Sequence, residues 1–275
     1  MIFKDFLPVL PLREIVEVYH LRHFIFSPDL KLTYKPYPPR PEQCIMFYPR
    51  GVETMEKVTD GIKLARPRST LAGQYTNRIN RHTSADFIII LVVLRPGVLH
   101  KLTGIPMNEL INNDVDAELV FPGSVQLVNQ RLSSTASYQE MIAILDHFFL
   151  ELAKRKNLDS HPIEAVLNLM VEKPGHYSLD WLARQACFST RQFERKFNDY
   201  IGISPKVFNR IIRFNQSYQL RISYPQKDWL SIAIDAGYND YQHLVKDYKD
   251  FAQSTPNLLF SEESKAPERV LGLQN

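Results

Sequence analysis

The strongest constraint on the fold of this chain is a unit that occurs twice in its C-terminal half. One copy contains FSTRQFERKFNDYIGISP at 188–205, and the other contains YNDYQHLVKDYKDFAQSTP at 238–256. In both copies apolar residues recur after four and then three positions, which places them on one helix face. These residues are Phe193, Phe197 and Tyr200 in the first copy and Leu244, Tyr248 and Phe251 in the second. The shared spacing predicts two copies of one helical unit.

Residues that favour helix ends surround each copy. In the first, Ser178 can cap a short helix, and Ser189 can cap a longer one with Gln192 three residues later. Gly202 can end the longer helix in a left-handed conformation. A short helix, a tight turn at Cys187 and a longer helix with a polar front predict a helix-turn-helix. In such a motif the polar front of the second helix faces the DNA major groove.

The segment between the two units predicts a single helix. It reads SPKVFNRIIRFNQSYQLRIS at 204–223, with no glycine and no proline after Pro205. A helix of about 17 residues would be ~25 Å long at 1.5 Å per residue. Adjacent major grooves on one side of DNA are ~34 Å apart. A rigid helix of this length could therefore hold two reading helices in successive grooves.

The C-terminal part of the chain, from about residue 160 to 260, resembles the DNA-binding domain of AraC/XylS-type bacterial transcription regulators. The resemblance is carried by the segments LARQACFSTRQFERKF, IGISP and IAIDAGYNDYQHLVKDYKDF. It implies a sequence-specific regulator, more often an activator, that binds double-stranded DNA in two consecutive major grooves. It also implies contact with RNA polymerase. A homodimer is expected because apolar residues cover more than one face of the helix predicted at 137–154. Two cysteines and apolar runs far shorter than a membrane span predict a cytoplasmic location. The chain departs from the family at Cys187, where the first turn often has glycine.

The polar fronts of the two longer helices contain the candidate DNA contacts. Arg191 and Arg195 could each form a two-pronged bond with guanine, and the alternative is a solvated helix face. Lysines on these fronts are better suited to phosphates than to bases. Gln242 could pair with adenine, and Val245 could touch a thymine methyl. The complete set is Thr190, Arg191, Glu194, Arg195, Lys196, Asn198, Tyr241, Gln242, Val245, Lys246 and Lys249.

The first half of the chain predicts a different fold. Its apolar runs CIMFYPRG, FIIILVVLRPG and AELVFPG favour strands, whereas LREIVEVY at 12–19 has helical spacing. The chain is therefore expected to be an α+β protein of two domains, with a β-rich, cupin-like sandwich or barrel before an all-α domain. The expected divisions are a sensor domain at 1–135 and a helix and linker at 136–158 that is a candidate dimerisation element. The DNA-binding domain at 159–260 and a disordered tail at 261–275 follow.

Net charge, cysteine count and the absence of catalytic motifs limit the classes of function that this chain can have. A net charge of +3 is compatible with DNA binding, and two cysteines cannot form a four-cysteine zinc site. No catalytic constellation, cofactor motif or metal spacing is present, so no enzyme activity, cofactor or metal is expected. Four arginines, Arg66, Arg68, Arg78 and Arg81, are weak candidates for binding an anionic effector, and the alternative is a solvated strand edge. Two alternatives remain: a regulator controlled by a partner protein, and a cupin-like enzyme with a helical appendage.

Overall fold

A computed structural model describes residues 1–27, 34–156, 158, 160–175 and 177–273 of the chain. Within them, a unit with two antiparallel sheets precedes a helical unit, as the α+β prediction requires. One sheet has the order β1 (Ile2–Phe6), β2 (Val16–Ile25), β9 (Asp86–Leu94), β4 (Gln43–Arg50), β7 (Ser69–Ala72) and β10 (Asp114–Asp116). The other has the order β3 (Lys35–Tyr37), β8 (Ile79–Thr83), β5 (Glu53–Lys57) and β6 (Lys63–Ala65).

Two local predictions in the N-terminal half are wrong. The segment 12–19, predicted to be helical, enters strand β2, which is paired with β1 on one side and β9 on the other. Backbone pairing on both edges, together with burial of Val16, Tyr19 and Leu21, outweighs the helical spacing. The segment AELVFPG, predicted to be a strand, instead forms the short helix α2 (Ala117–Val120), capped by Asp116.

Strand β9 reads as a continuous apolar run because both of its faces are covered. Ile88, Ile90 and Val92 face one core, which is completed by helices α1 (Val98–Thr103), α3 (Ser124–Ser134) and α4 (Tyr138–Arg155). Ile89 and Leu91 face a second core between the two sheets. A strand that is buried on both sides does not need the alternating polar residues of a half-exposed one.

Helix α4 belongs to the N-terminal core. Ser137 caps it by accepting from the N–H of Glu140, and its apolar residues Met141, Phe148 and Leu152 are buried with the sheet residues. The sequence-based division at residue 135 therefore passes through this core. The apolar face that suggested a dimerisation element is covered within one chain, so it does not by itself require a second copy.

The helical unit contains the predicted repeat. Its helices are α5 (Pro162–Glu172), α6 (Leu179–Gln185), α7 (Thr190–Ile201), α8 (Pro205–Ser223), α9 (Trp229–Asp235), α10 (Tyr241–Ala252), α11 (Pro256–Glu263) and α12 (Pro267–Val270). The predicted caps Ser178 and Ser189 accept hydrogen bonds from backbone N–H groups of the helices they precede, and Ser204 caps α8 in the same way. Gly202 ends α7 at φ 94°, in the left-handed region. The connecting helix α8 is unbroken over 19 residues.

The chain after residue 260 differs from the predicted disordered tail. Helix α11 continues to Glu263, α12 follows, and Glu263 and Glu268 are buried. Leu271 and Leu273 pack against the core between the sheets. Residues 274 and 275 lie outside the described part of the chain. Contacts with the β-rich unit, which is far away in the sequence, hold this segment in place. Such contacts cannot be inferred from the composition of the segment itself.

Within the described part of the chain, no helix combines the length and the apolar character that crossing a lipid bilayer requires.

Candidate nucleic-acid interface

The turns of the two helix-turn-helix motifs have the same geometry. Between α6 and α7, Cys187 adopts φ 56°, and the N–H of Phe188 donates to the carbonyl of Ala183 at 2.9 Å. Between α9 and α10, Gly237 adopts φ 78°, and the N–H of Tyr238 donates to the carbonyl of Ala233, also at 2.9 Å. The repeat seen in the sequence is therefore a repeat of backbone conformation as well as of buried residues.

Helix α7 buries its aromatic face and exposes the predicted polar one. Phe193 and Phe197 are fully buried in the helical core. Arg191, Glu194 and Arg195 are exposed, whereas Thr190, Lys196 and Asn198 are half-buried. Ser189 and Gln192 form the predicted capping box, which fixes the helix start. The Thr190 hydroxyl donates to Asp180 at 3.0 Å and so joins α7 to α6.

Helix α10 presents its front in the same way. Gln242, Lys246 and Lys249 are exposed, and Tyr241 and Val245 are half-buried. Asp240, which the sequence analysis did not single out, caps the helix by accepting from the N–H of His243 at 2.8 Å. Its spacing, three residues before His243, is the ordinary pattern of an N-cap.

The basic residues of the two fronts are not neutralised by other residues in the described part of the chain. Arg191, Arg195, Lys246 and Lys249 form no ion pair with any other residue that the structure describes. Arg210 on α8 is different, because it bonds to Asp247 at 2.7 Å and thereby attaches α10 to α8. Tyr238 also donates to Asp247, at 3.0 Å. Arg210 is thus a structural arginine, whereas Arg191, Arg195, Lys246 and Lys249 remain available to phosphates and bases.

A cavity of about 490 Å³ lies between the two units. Charged residues of the β-rich unit line it, namely Arg22, Lys35, Arg40, Glu53 and Arg81. The helical unit contributes Tyr218 and Ser223 from the end of α8, together with Glu263, Glu268 and Arg269 from the C-terminal segment. Apolar side chains from both units, such as Phe24 and Ile222, complete the wall. The Nε atom of Arg40 is buried without a hydrogen-bond partner among the described residues.

The four arginines that were weak effector candidates do not form one site. Arg66 pairs inside the sheets with Glu53 at 2.5 Å and with Asp114 at 2.7 Å. Arg78 pairs with Glu262, and Arg68 bonds to the hydroxyl of Ser133. Only Arg81 of the four lines the cavity, where it pairs with Glu53 at 2.6 Å. Burial acts to raise the pKa of Glu53, but Arg81 and Arg66 outweigh it and hold that pKa below its usual value.

The sequence analysis missed most of the charged residues in the cavity. Lys35 and Arg40 come from the proline-rich segment TYKPYPPRP, and Glu263 and Glu268 come from the segment expected to be disordered. Neither segment has a periodic pattern that could indicate which way its side chains point. Their convergence depends on the packing of the two units.

Comparison with known proteins agrees with this architecture. Residues 182–261 match the family model described as a helix-turn-helix domain. An uncharacterized HTH-type transcriptional regulator of Haemophilus influenzae is 24% identical over 159 residues, which are 58% of this chain and 51% of that protein. The HTH-type transcriptional regulator ArgR of Pseudomonas aeruginosa is 26% identical over 149 residues, which are 54% of this chain and 42% of that protein. The chain thus matches about half or less of the length of these two curated relatives.

A solved structure shows a similar arrangement of both units. The crystal structure of ToxT from Vibrio cholerae O395, bound to (E)-4-(8-methylnaphthalen-1-yl)but-3-enoic acid, aligns with a TM-score of 0.50 at 11% identity. The alignment covers 89% of this chain and 99% of that chain. At this identity the similarity concerns the fold alone.

Proposed function

We propose that this chain is a sequence-specific, DNA-binding transcription regulator, because residues 182–261 match a helix-turn-helix family model and resemble the DNA-binding domain of AraC-type regulators. The observation that carries the proposal is the pair of motifs with matching turns and exposed basic fronts on α7 and α10. Helix α8 is ~28 Å long at 1.5 Å per residue and suits two reading helices in consecutive major grooves. The curated relatives are transcription regulators, which supports a regulator over a β-domain enzyme.

The side chains of the two fronts suggest a division of roles. Arg191 and Arg195 have the planar fork that binds guanine through two hydrogen bonds. Gln242 and Val245 are suited to adenine and to a thymine methyl group. The remaining candidates are assigned to phosphate contacts or to support of these readers, namely Thr190, Glu194, Lys196, Asn198, Tyr241, Lys246 and Lys249. The unpaired charges of the exposed members favour this assignment over a purely solvated face.

The β-rich unit is proposed to sense a small molecule in the cavity between the units. Residues of both units line that cavity, so an occupant would contact the sensor and the DNA-binding unit at once. The Nε atom of Arg40, which has no hydrogen-bond partner among the residues that the structure describes, favours an occupant with an anionic group, as do the side chains of Lys35 and Arg81. ToxT, which has a similar fold, was crystallised with a carboxylic acid. Activation through RNA polymerase in the bacterial cytoplasm, and a homodimer, remain part of this proposal.

Selection of binding sites from random duplexes, followed by fluorescence anisotropy, tests the DNA-binding function. We expect the full chain to select a two-part site and to lose affinity steeply with added salt, because counterions leave the phosphates on binding. A fragment of residues 160–273 should retain the same preference. If neither protein binds the selected site better than a random duplex, the proposed function is wrong.

The second candidate function is a regulator whose activity is controlled by a partner protein and not by a small molecule. The exposed side chains Leu230 and Ile234, one helical turn apart on α9, favour it because they form an apolar surface beside the second motif. Titration of small carboxylates into the full chain, followed by calorimetry, separates the two. If a carboxylate releases or absorbs heat on binding to the wild type but not to an Arg40→Ala variant, the result supports the cavity as the effector site.

A further inference from the structure

The segment 256–273, the last part of the chain that the structure describes, connects the second helix-turn-helix motif to the β-rich unit. Helix α11 follows directly after the reading helix α10, and Leu259 on α11 is fully buried in the helical core. Beyond it, Leu271 and Leu273 pack against the core between the two sheets. One short segment therefore contacts both cores, and we refer to it as the C-terminal clasp.

Buried charges strengthen this connection. Glu263 and Glu268 of the clasp, 4% and 3% exposed, both face Lys35 on strand β3. The Nζ atom of Lys35 forms an ion pair with Glu268 and lies 3.8 Å from Glu263. Arg269 adds a contact with Glu263 at 3.7 Å. Because these carboxylates are out of water, loss of their cationic partner would leave buried charges without compensation.

A second set of contacts lies one strand further into the same sheet. Arg78, just before β8, pairs with Glu262 of the clasp at 2.5 Å. Its backbone N–H donates to the carbonyl of Phe251, near the end of α10, at 2.9 Å. The second motif is thus held on the β-rich unit through its own reading helix as well as through the clasp.

The first motif has a separate attachment to the β-rich unit. The side chain of Gln43 donates to the carbonyl of Tyr200 at the end of α7, at 2.9 Å, and Gly202 lies against the backbone of Met107. Both motifs are therefore attached to the same unit at different places. Their relative orientation depends on these attachments and not only on α8.

We propose that the C-terminal clasp is an autoinhibitory restraint, and that release of Glu263 and Glu268 from Lys35 frees the second motif to adjust to DNA. This rests on the proposed function. DNA requires the two reading helices to enter grooves at one fixed spacing. A protein that is held in another arrangement binds with an affinity reduced by the fraction of molecules that are competent. An anion that enters the cavity beside Lys35 would compete with both clasp carboxylates and favour release.

The test compares the full-length chain with a Glu263→Gln/Glu268→Gln variant on two duplexes. One contains the complete selected site, and the other contains only the half read by α7. We expect the variant to bind the complete site on the order of tenfold more tightly and the half-site with unchanged affinity. Amide exchange within residues 256–273 should become faster in the variant, which reports release independently of DNA.

A matched control separates release from a change in net charge. The variant Glu14→Gln/Glu109→Gln removes two exposed carboxylates, and it should leave the affinity for both duplexes near the wild-type value. If the clasp variant shows faster exchange but binds the complete site no more tightly than wild type, the restraint hypothesis is wrong. Equal tightening on both duplexes would also contradict it, because that pattern is a charge effect. If the wild-type protein selects no specific DNA sequence, the proposed function is wrong, which is a different outcome from failure of the restraint hypothesis.

Discussion

At the scale of single residues, the turn of the first motif contains a conformation that its side chain disfavours. Cys187 adopts φ 56°, where the second motif has Gly237 at φ 78°. A left-handed conformation costs an L-residue with a side chain roughly 1–2 kcal/mol. The first motif therefore carries backbone strain that the second motif avoids.

Replacement of Cys187 by glycine should relieve this strain. We expect Cys187→Gly to raise the free energy of unfolding by about 1 kcal/mol, less the greater freedom of glycine in the unfolded chain. Thermal unfolding followed by circular dichroism measures the change. Gly237→Ala is the matched control in the second motif and should lower stability, although a Cβ there has room, its nearest neighbour being Arg213 Cδ at 3.9 Å. A lower melting temperature for Cys187→Gly would contradict the interpretation.

Two basic residues at corresponding positions of the reading helices should affect DNA binding differently. Arg195→Ala removes a planar fork, which is worth ~1–3 kcal/mol of discrimination at one base. Its loss should relax the preference at one position of the selected site. Lys246→Ala removes a point charge and should weaken binding to all sequences evenly, with a salt slope smaller by about one. Site selection and salt titration distinguish the two, and an unchanged motif for Arg195→Ala would exclude it as a base reader.

At the scale of elements, helix α4 shows how burial changes the meaning of an apolar pattern. Its apolar residues cover more than one face, which in the sequence suggests a surface for a second copy. In the structure Phe148 and Leu152 are 7% and 8% exposed, in the core of their own unit. The exposed side of the helix contains Ala143 and His147 and is open to contact with a second copy.

Charges on the buried side of α4 should therefore unfold the N-terminal unit and not merely separate a dimer. We expect Phe148→Asp to cost at least ~3 kcal/mol of stability, because it removes a large buried side chain and buries a charge without a partner. Denaturant unfolding measures this loss. A dimer is tested separately by sedimentation of Ala143→Arg, which should fold normally. Wild-type stability of Phe148→Asp would show that α4 lies outside the core.

At the scale of the whole molecule, one buried glutamine joins the two units. Gln43 of strand β4 is 2% exposed, donates to the carbonyl of Tyr200, and accepts from the N–H of Gly97 at 3.3 Å. Its side chain thus satisfies one polar group in each unit. Removal of such a bridge leaves buried polar groups without partners, at about 1–3 kcal/mol each.

The bridge predicts how the molecule unfolds. We expect wild type to unfold in one cooperative transition, because both the C-terminal clasp and Gln43 connect the two cores. Gln43→Ala should weaken this coupling and separate the calorimetric transition into two. Glu42→Ala, a change in the neighbouring residue, should leave a single transition. If wild type already shows two independent transitions, the contacts between the units contribute little to stability.

The sequence by itself determined the elements whose causes are local. Caps such as Ser178 and Ser189, the left-handed end at Gly202 and the apolar spacing of α7 and α10 all act within a few residues, so the double helix-turn-helix could be predicted and is confirmed. The DNA-contacting roles of the exposed residues remain predictions. Only the tertiary structure decided that 12–19 enters a strand, that Arg66 and Arg78 pair with the chain's own carboxylates, and that the clasp is ordered. Each of these depends on partners far away in the chain, and pairing or burial with such partners outweighs local propensity.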